Sequence, residues 1–240
     1  MRWIYLSPHL DDAVLSAGGW IYDQSQAGNS VEIWTLMSGA PSSKKLSPFA
    51  AYLHEQWGMS SASEVIRGRR LEDDHAAKIL GAKTRHFNFL DCIYRKGHSG
   101  DWLYFNVFTD PSPDEADLPA QIAEAISARL KPDDKLVCQL GIGEHVDHVT
   151  VRHAAELLNR PLHYVADIPY LFNYPGHLKT KKARLKANVQ RGSRAGLRLW
   201  KEAIMAYESQ VHMLFKNERD LRRQINQYWS QYEGICFWVR

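Results

Sequence analysis

The sequence predicts an α/β fold, a Rossmann-like and mostly parallel sheet with helices on both faces, and three observations predict it. Short apolar, β-branched runs alternate along the chain with longer stretches of helical period, the pattern of repeated strand–helix units. The first run, Trp3-Ile4-Tyr5-Leu6, passes through a tight polar turn, Ser7-Pro8-His9-Leu10-Asp11-Asp12, directly into a helical stretch reaching about Gln26. The 240 residues, 45% of them apolar, suit one domain spanning 1–240 with a substantial core.

The elements follow in order. Val31–Met37 reads as a second strand, ended by the polar loop Ser38–Ser43. The stretch on to Ser63 has no clear period and reads as a long loop, functional or mobile. Glu64–Leu80 is helical and Gly81 stops it. Thr84–Leu90 reads as a strand with Asp91 at its end, and Lys96–Leu118 is irregular. Gln121–Leu130 is a short amphipathic helix, and Lys131–Asp134 a turn. Leu136–Leu140 is a buried strand, Gly141–Glu144 a turn, and Val149–Asn159 a helix. Leu162–Val165 is a strand, and Pro169–Gly176 an aromatic loop. Leu197–Phe215 and Glu218–Tyr232 are late helices, and Ile235–Val239 reads as an edge strand.

Composition excludes several classes. A formal charge of +3 is too small to argue for nucleic acid, and the basic residues crowd into 179–198. Cys92, Cys138 and Cys236 are too scattered for a disulfide framework or a Cys-rich zinc knuckle, so a reducing setting fits. Nothing resembles a signal peptide or a membrane span. The expectation is a cytoplasmic protein without stable membrane insertion, its oligomeric state open. The first strand is not followed by G-x-G-x-x-G, so no dinucleotide is implied.

The chemistry concentrates in two clusters. His9 and Asp12 are three residues apart, which places both on one side of a helical first turn and aims Asp11 elsewhere. His145-Val146-Asp147-His148 follows the strand around Val137. In open parallel sheets, sites form at the carboxyl ends of strands, so neighbouring strands would bring the clusters together. Each cluster has a plainer reading: Asp before a helix is a common cap, and H-x-D-H can cap and face solvent. Taken together, at equivalent topological positions, they favour a hydrolytic metal site.

The two motifs, P-H-x-D-D and H-x-D-H, resemble the signatures of the PIG-L/LmbE-like family of zinc-dependent N-acetylglucosaminyl deacetylases. The resemblance extends to Arg69-Arg70-Leu71-Glu72-Asp73, continuing to Leu80-Gly81, which is similar to the family's R-x-x-E helix. Leu90-Asp91 resembles its acidic turn. Ala203, Tyr207, Ser209 and Gln210 resemble its A-x-x-x-Y-x-S-Q helix. Departures are Leu10 and Val146 where proline is common, Ala13 where Glu is common, and Glu144 where glycine is common, the last with a possible effect on the pocket wall.

The resemblance implies that His9, Asp12 and His148 hold Zn2+. Two imidazoles and one carboxylate leave a position for water, and the absence of thiolate leaves other divalent metals open. It implies Asp11 as general base and a protonated His145, held so by Asp147, facing the oxyanion. Arg69 and Asp91 would contact a small-molecule N-acetylated glycoside or glycoconjugate. Their plainer readings are an Arg69–Glu72 pair and a strand end. The expected reaction is hydrolysis of an N-acetyl group from an N-acetylglucosamine-type substrate, with Asp11, or else His145, protonating the leaving amine. The alternatives are a metal amidase for a non-sugar N-acyl substrate and a non-catalytic sugar-binding homologue. Selectivity is expected from the loops 38–63 and 93–118.

Other features invite function less. His75, His86, His153 and His163 read as structural. His54, His98 and His177 fall in expected loops within reach of substrate, and Trp57 and Trp102 are lid candidates. Tyr207, Ser209 and Gln210 read as bracing residues. The basic run Lys179–Lys186 reads as a solvated face.

Overall fold

A computed structural model describes residues 1–240. β1 (Arg2–Ser7) pairs in parallel with β2 (Ser30–Thr35) on one side and with β4 (Lys135–Gln139) on the other, so Tyr5 lies opposite both Ile33 and Val137. β3 (Lys83–His86) adds to β2, and β5 (Leu162–Val165) to β4, both parallel. β7 (Gly234–Val239) pairs antiparallel with β5, and β6 (Lys186–Arg191) antiparallel with β7, so β7 alone runs against the other strands in the order β3-β2-β1-β4-β5-β7-β6.

Right-handed crossovers assign the helices to faces. From β1 the chain moves outward to β2 and β3 through α1 (Asp12–Gln26) and α3 (Ala62–Leu80), which pack together with α8 (Arg194–Met205). It then returns across the sheet to β4, and the opposite face takes α4 (Leu118–Ser127) and α5 (Val146–Leu157), which pack on each other. The reversal between β1 and β4 is the point where an open α/β sheet leaves a crevice at its carboxyl edge. Both sequence clusters open from that crevice. The main core is built from strand residues such as Ile4, Ile33, Trp34 and Leu136 with Val14, Ile21, Leu80 and Val151 from the helices, all fully buried.

Several boundaries differ from expectation. The region before Ser63 contains a helix, α2 (Pro48–Gln56), started by Ser47, whose side chain accepts from the Ala50 N–H. Ser-Pro at that point is a helix-start signal. β3 is shorter than expected because Phe87–Leu90 leave the ladder, although Leu90 still bridges Gly39. α5 begins at Val146, so H-x-D-H forms its first turn. The expected loop at 169–176 and the start of the basic run form α6 (Tyr170–Asn173) and α7 (Pro175–Lys181). The single late helix is broken at Ala206 and Tyr207 into α8 and α9 (Glu208–Leu214), followed by α10 (Glu218–Tyr232).

β7 is not an edge strand. It is covered by β6, whose residues are almost all exposed and therefore show no apolar alternation in sequence. A second, small core of Ala50, Ile66, Ile93, Tyr94, Tyr104 and Val146 lies under the two segments without clear periodicity. It seats them beside the crevice.

The α1–α8 contact depends on glycine. A Cβ on Gly18 would run into Trp200 Cδ1, and the Trp200 indole N–H donates to the Val14 carbonyl at 2.7 Å. Alanine improves helix propensity by about 1 kcal/mol, while forcing a side chain into a filled core costs about 1–3 kcal/mol. Gly18→Ala is therefore expected to lower the urea midpoint with an unchanged m-value. A higher midpoint would show that the ring yields.

Candidate active site

The turn after β1 is tied from within. The Ser7 hydroxyl donates to the His9 carbonyl at 2.7 Å and accepts from the Ala13 N–H at 3.0 Å. The His9 N–H donates to Asp12 Oδ2 at 2.8 Å. Gln139, the last residue of β4, reaches across to the Asp12 carbonyl and to Ser16 Oγ, 2.9 Å away. These bonds join the ends of β1 and β4.

Three atoms then face one point. His9 Nδ1 lies 3.2 Å and His148 Nε2 3.3 Å from the same oxygen, Asp12 Oδ2. All three residues are buried, and His148 Nε2 has no hydrogen-bond partner. The far nitrogen of each ring is held by a carboxylate: His9 Nε2 by Asp147 at 2.9 Å, and His148 Nδ1 by Asp167 at 2.8 Å. That anchoring leaves Nδ1 of His9 and Nε2 of His148 as the lone-pair nitrogens, as metal-binding histidines require. A buried imidazole nitrogen without a partner, beside a carboxylate, fits a divalent ion. His145 borders the same place, since ring nitrogens of His9, His145 and His148 lie within 4.8 Å of one another.

Charge is distributed unevenly. Burial pushes the Asp11 carboxyl up, and the neighbouring Asp12 adds to it, to about 7 against the pull of Arg69. Burial also opposes ionisation of Asp12, but His148 and His9 hold it well below the usual carboxylate range. Burial lowers His148, and the carboxylates of Asp12 and Asp167 outweigh that, raising it to about 9.

Asp147 does not hold a protonated His145. Its carboxylate is taken by His9, by Arg95 Nη1 at 2.6 Å and by the Cys92 N–H at 3.0 Å. Its backbone N–H instead donates to His145 Nδ1 at 3.2 Å. Nδ1 is thus an acceptor, and the neutral ring carries its proton on Nε2. Burial, followed by the neighbouring His9 and His148, pushes His145 well below its ordinary value.

Around these residues lies a cleft of about 190 Å³ whose lining includes Asp11, Arg69, Asp91, His145, Tyr170 and Gln210. Arg69 is not paired with Glu72. Its Nη2 lies 3.5 Å from Asp11 Oδ2, and its guanidinium sits 5.2 Å from the Trp57 ring centroid. Glu72 instead accepts from the Ser209 N–H and hydroxyl at 2.8 and 2.6 Å. Asp91 accepts from the Ile93 N–H at 3.1 Å and also comes within 3.7 Å of His9 Nε2. Tyr207 donates to Asp73 at 2.7 Å and braces α3 from behind.

The remaining candidates separate. Trp57 lines the cleft, whereas Trp102 does not and lies under Lys96. His54 belongs to α2, is buried, and is 2.6 Å from the Tyr94 hydroxyl. Neither His54, His98 nor His177 lines the cleft. Glu144 has φ 63°, the left-handed region that favours glycine, and its exposed carboxylate points out to Lys181 at 3.2 Å. The cleft wall does not include it.

Asp167 and Arg95 escaped the sequence reading. Asp167 stands two residues beyond β5, the same offset that His9 has from β1, and that position was its one available signal. Arg95 had none. Asp167→Ala is expected to weaken divalent-ion binding by about 10–100-fold, read by zinc competition against a chromogenic chelator. Unchanged affinity would show that Asp167 serves only the Gly141 and Ile142 N–H groups, which it also accepts at 3.2 and 2.9 Å.

Comparison with known proteins finds relatives along the whole chain. The family profile described as PIG-L, GlcNAc-PI de-N-acetylase, matches residues 4–158. The zinc-inhibited form of teicoplanin deacetylase Orf2 is similar at 31% identity and TM-score 0.87, covering 100% of this chain and 97% of that one. The A40926 pseudoaglycone deacetylase Dbv21 is similar at 27% identity and TM-score 0.77, covering 99% of this chain and 95% of that one. A 2'-N-acetylparomamine deacetylase of Niallia circulans is 23% identical over 256 residues, 99% of this chain and 90% of its own. With its motifs at the crevice of the same fold, the chain belongs to the PIG-L family of de-N-acetylases.

Proposed function

We propose that the protein is a zinc-dependent N-deacetylase that hydrolyses the acetamide of an N-acetylglucosamine-type glycoside, releasing acetate and the free amine. The convergence of His9 Nδ1, Asp12 Oδ2 and His148 Nε2 beside a spare carboxylate, Asp11, carries this reading. His9, Asp12 and His148 would hold the ion, which when bound polarises a carbonyl and makes water acidic near neutral pH.

Asp11 takes the proton of the attacking water as the carbon–oxygen bond forms. His145, neutral and carrying its proton on Nε2, donates that N–H toward the developing oxyanion. As the carbon–nitrogen bond breaks, Asp11 returns its proton to the leaving amine. Arg69, over Trp57 and next to Asp11, keeps the base oriented and offers donors to substrate hydroxyls, while Asp91 and Gln210 offer acceptors. Leu53, Trp57, Val107 and Met213 give the outer cleft an apolar wall, which suits a glycoconjugate larger than the free sugar.

The homologues are deacetylases of N-acetylated sugars, and one similar structure is a deacetylase–teicoplanin complex at 30% identity. No helix is long and apolar enough to cross a membrane. We take residues 1–240 as one catalytic domain working on a small-molecule N-acetylated glycoside or glycoconjugate in a reducing, cytoplasmic setting.

Acetate release should be followed over free N-acetylglucosamine, diacetylchitobiose and aryl, lipid-linked and glycopeptide-linked N-acetylglucosaminides, with metal-stripped protein before and after zinc. Zinc-restored release from at least one is expected. Asp11→Asn should keep the metal and lose about 10²–10⁴-fold in kcat, whereas His148→Ala should lose the metal. A fully active Asp11→Asn protein would remove Asp11 from the base role, and zinc-loaded protein silent on every glycoside would remove the sugar.

A further inference from the structure

A buried cation lies behind the His9 side of the site. Arg95 follows the 3-10 turn Cys92–Tyr94, and its side chain is only 7% exposed. Its Nη1 is 2.6 Å from Asp147 Oδ1, and its Nε is 2.7 Å from Glu115 Oε1. The same Nη1 donates to the Leu90 carbonyl at 3.2 Å, and the guanidinium lies 5.2 Å from the Tyr104 ring centroid. One cation thus stands between two carboxylates with different duties.

Asp147 belongs to the site. Its other oxygen, Oδ2, accepts from the Cys92 N–H and faces His9 Nε2 at 2.9 Å. Glu115 ends the 3-10 turn Pro113–Glu115 within the 101–117 segment, where the Tyr104 hydroxyl donates to it at 2.6 Å. That segment also reaches the cleft. Its Val107 carbonyl accepts from the Val146 N–H at 2.8 Å, and the Phe108 ring packs edge-on against His145 at 6.2 Å.

On the reading that His9 Nδ1 faces a divalent ion, we propose that Arg95 is a positioning residue serving both sides. It holds the Asp147 carboxylate on His9 Nε2, which fixes the tautomer and direction of the ring, and it ties the 101–117 segment to the same point. The physical reason is the planar fork of guanidinium, which can face two carboxylates at once while staying charged. Removing it leaves Asp147 buried without its counter-charge, a costly state relieved by moving the carboxylate. That movement takes the anchor from His9. A lysine carries the charge at one point and can serve only one carboxylate.

The test compares wild type with Arg95→Lys, Arg95→Met, Glu115→Gln, Asp147→Asn and the Arg95→Met/Asp147→Asn pair. Two quantities are read: zinc affinity by chelator competition, and amide hydrogen exchange over residues 101–117. Arg95→Met should weaken zinc by about 10–100-fold, Arg95→Lys by less, and both should speed exchange. Glu115→Gln should speed exchange and keep wild-type zinc affinity. In the Asp147→Asn background, removing Arg95 should cost little more, because it acts through Asp147.

Folded Arg95→Lys and Arg95→Met proteins with wild-type zinc affinity would overturn the proposal, as would full additivity with Asp147→Asn. If Arg95→Met does not fold, Arg95→Lys and Glu115→Gln decide by the same criteria. Wild-type protein that binds no zinc overturns the deacetylase reading and the metal arm with it, while the exchange measurements still decide the tie to 101–117.

Discussion

The structure turns on one carboxylate. Asp12 Oδ2 stands within 3.3 Å of two imidazole nitrogens that lie 139 positions apart in the chain. That meeting is possible only because β1 and β4 are hydrogen-bonded neighbours while the strands between them in sequence have gone to the far side of β1. Right-handed crossovers outward to β2 and then β3, followed by one back to β4, put both motif-bearing turns at one crevice. The cross-bonds from Gln139 to the Asp12 carbonyl and Ser16 lock the two turns together.

Collecting so many ionisable groups in a buried place requires pairing. An isolated buried charge is expensive, and a partnered one is tolerable when its remaining polar atoms are also satisfied. The arrangement therefore extends outward as chains of partners. Asp12 leads through His148 to Asp167 and the N–H groups of Gly141 and Ile142. In the other direction it leads through His9 to Asp147, Arg95 and Glu115. Burial and the like-charged Asp12 push Asp11 up to about 7, with Arg69 only partly offsetting them, while His148 and His9 hold Asp12 well below the usual carboxylate range. The two neighbouring carboxylates thus differ in how readily they take up a proton.

Most of the covering of the site comes from the segments that lack sequence periodicity. α2 brings Leu53 and, just past its end, Trp57; the 101–117 segment brings Val107 and Phe108; α9 brings Met213. Their anchors are individual contacts, including His54 with Tyr94, Glu115 with Arg95, and Ser209 with Glu72. A wall assembled from such contacts can change in shape without disturbing the sheet beneath it, which is how one fold comes to serve different substrates.

Much was legible from sequence alone. Trp3–Leu6 before a turn and a helical run dictated the first strand–helix unit, because period and capping act over a few residues. P-H-x-D-D and H-x-D-H named the residues that the crevice brings together, since metal-ligand chemistry restricts which residue types can serve. Tertiary structure alone decided the partners. Asp147 is adjacent to His148 and near His145, yet its carboxylate turns to His9 and Arg95. Asp167 and Arg95 carry no motif, and β6 has no apolar face to announce it. Each of these depends on groups far apart along the chain meeting in a buried place, where the electrostatic cost of leaving any of them alone selects the neighbour. Local periodicity holds no record of that choice.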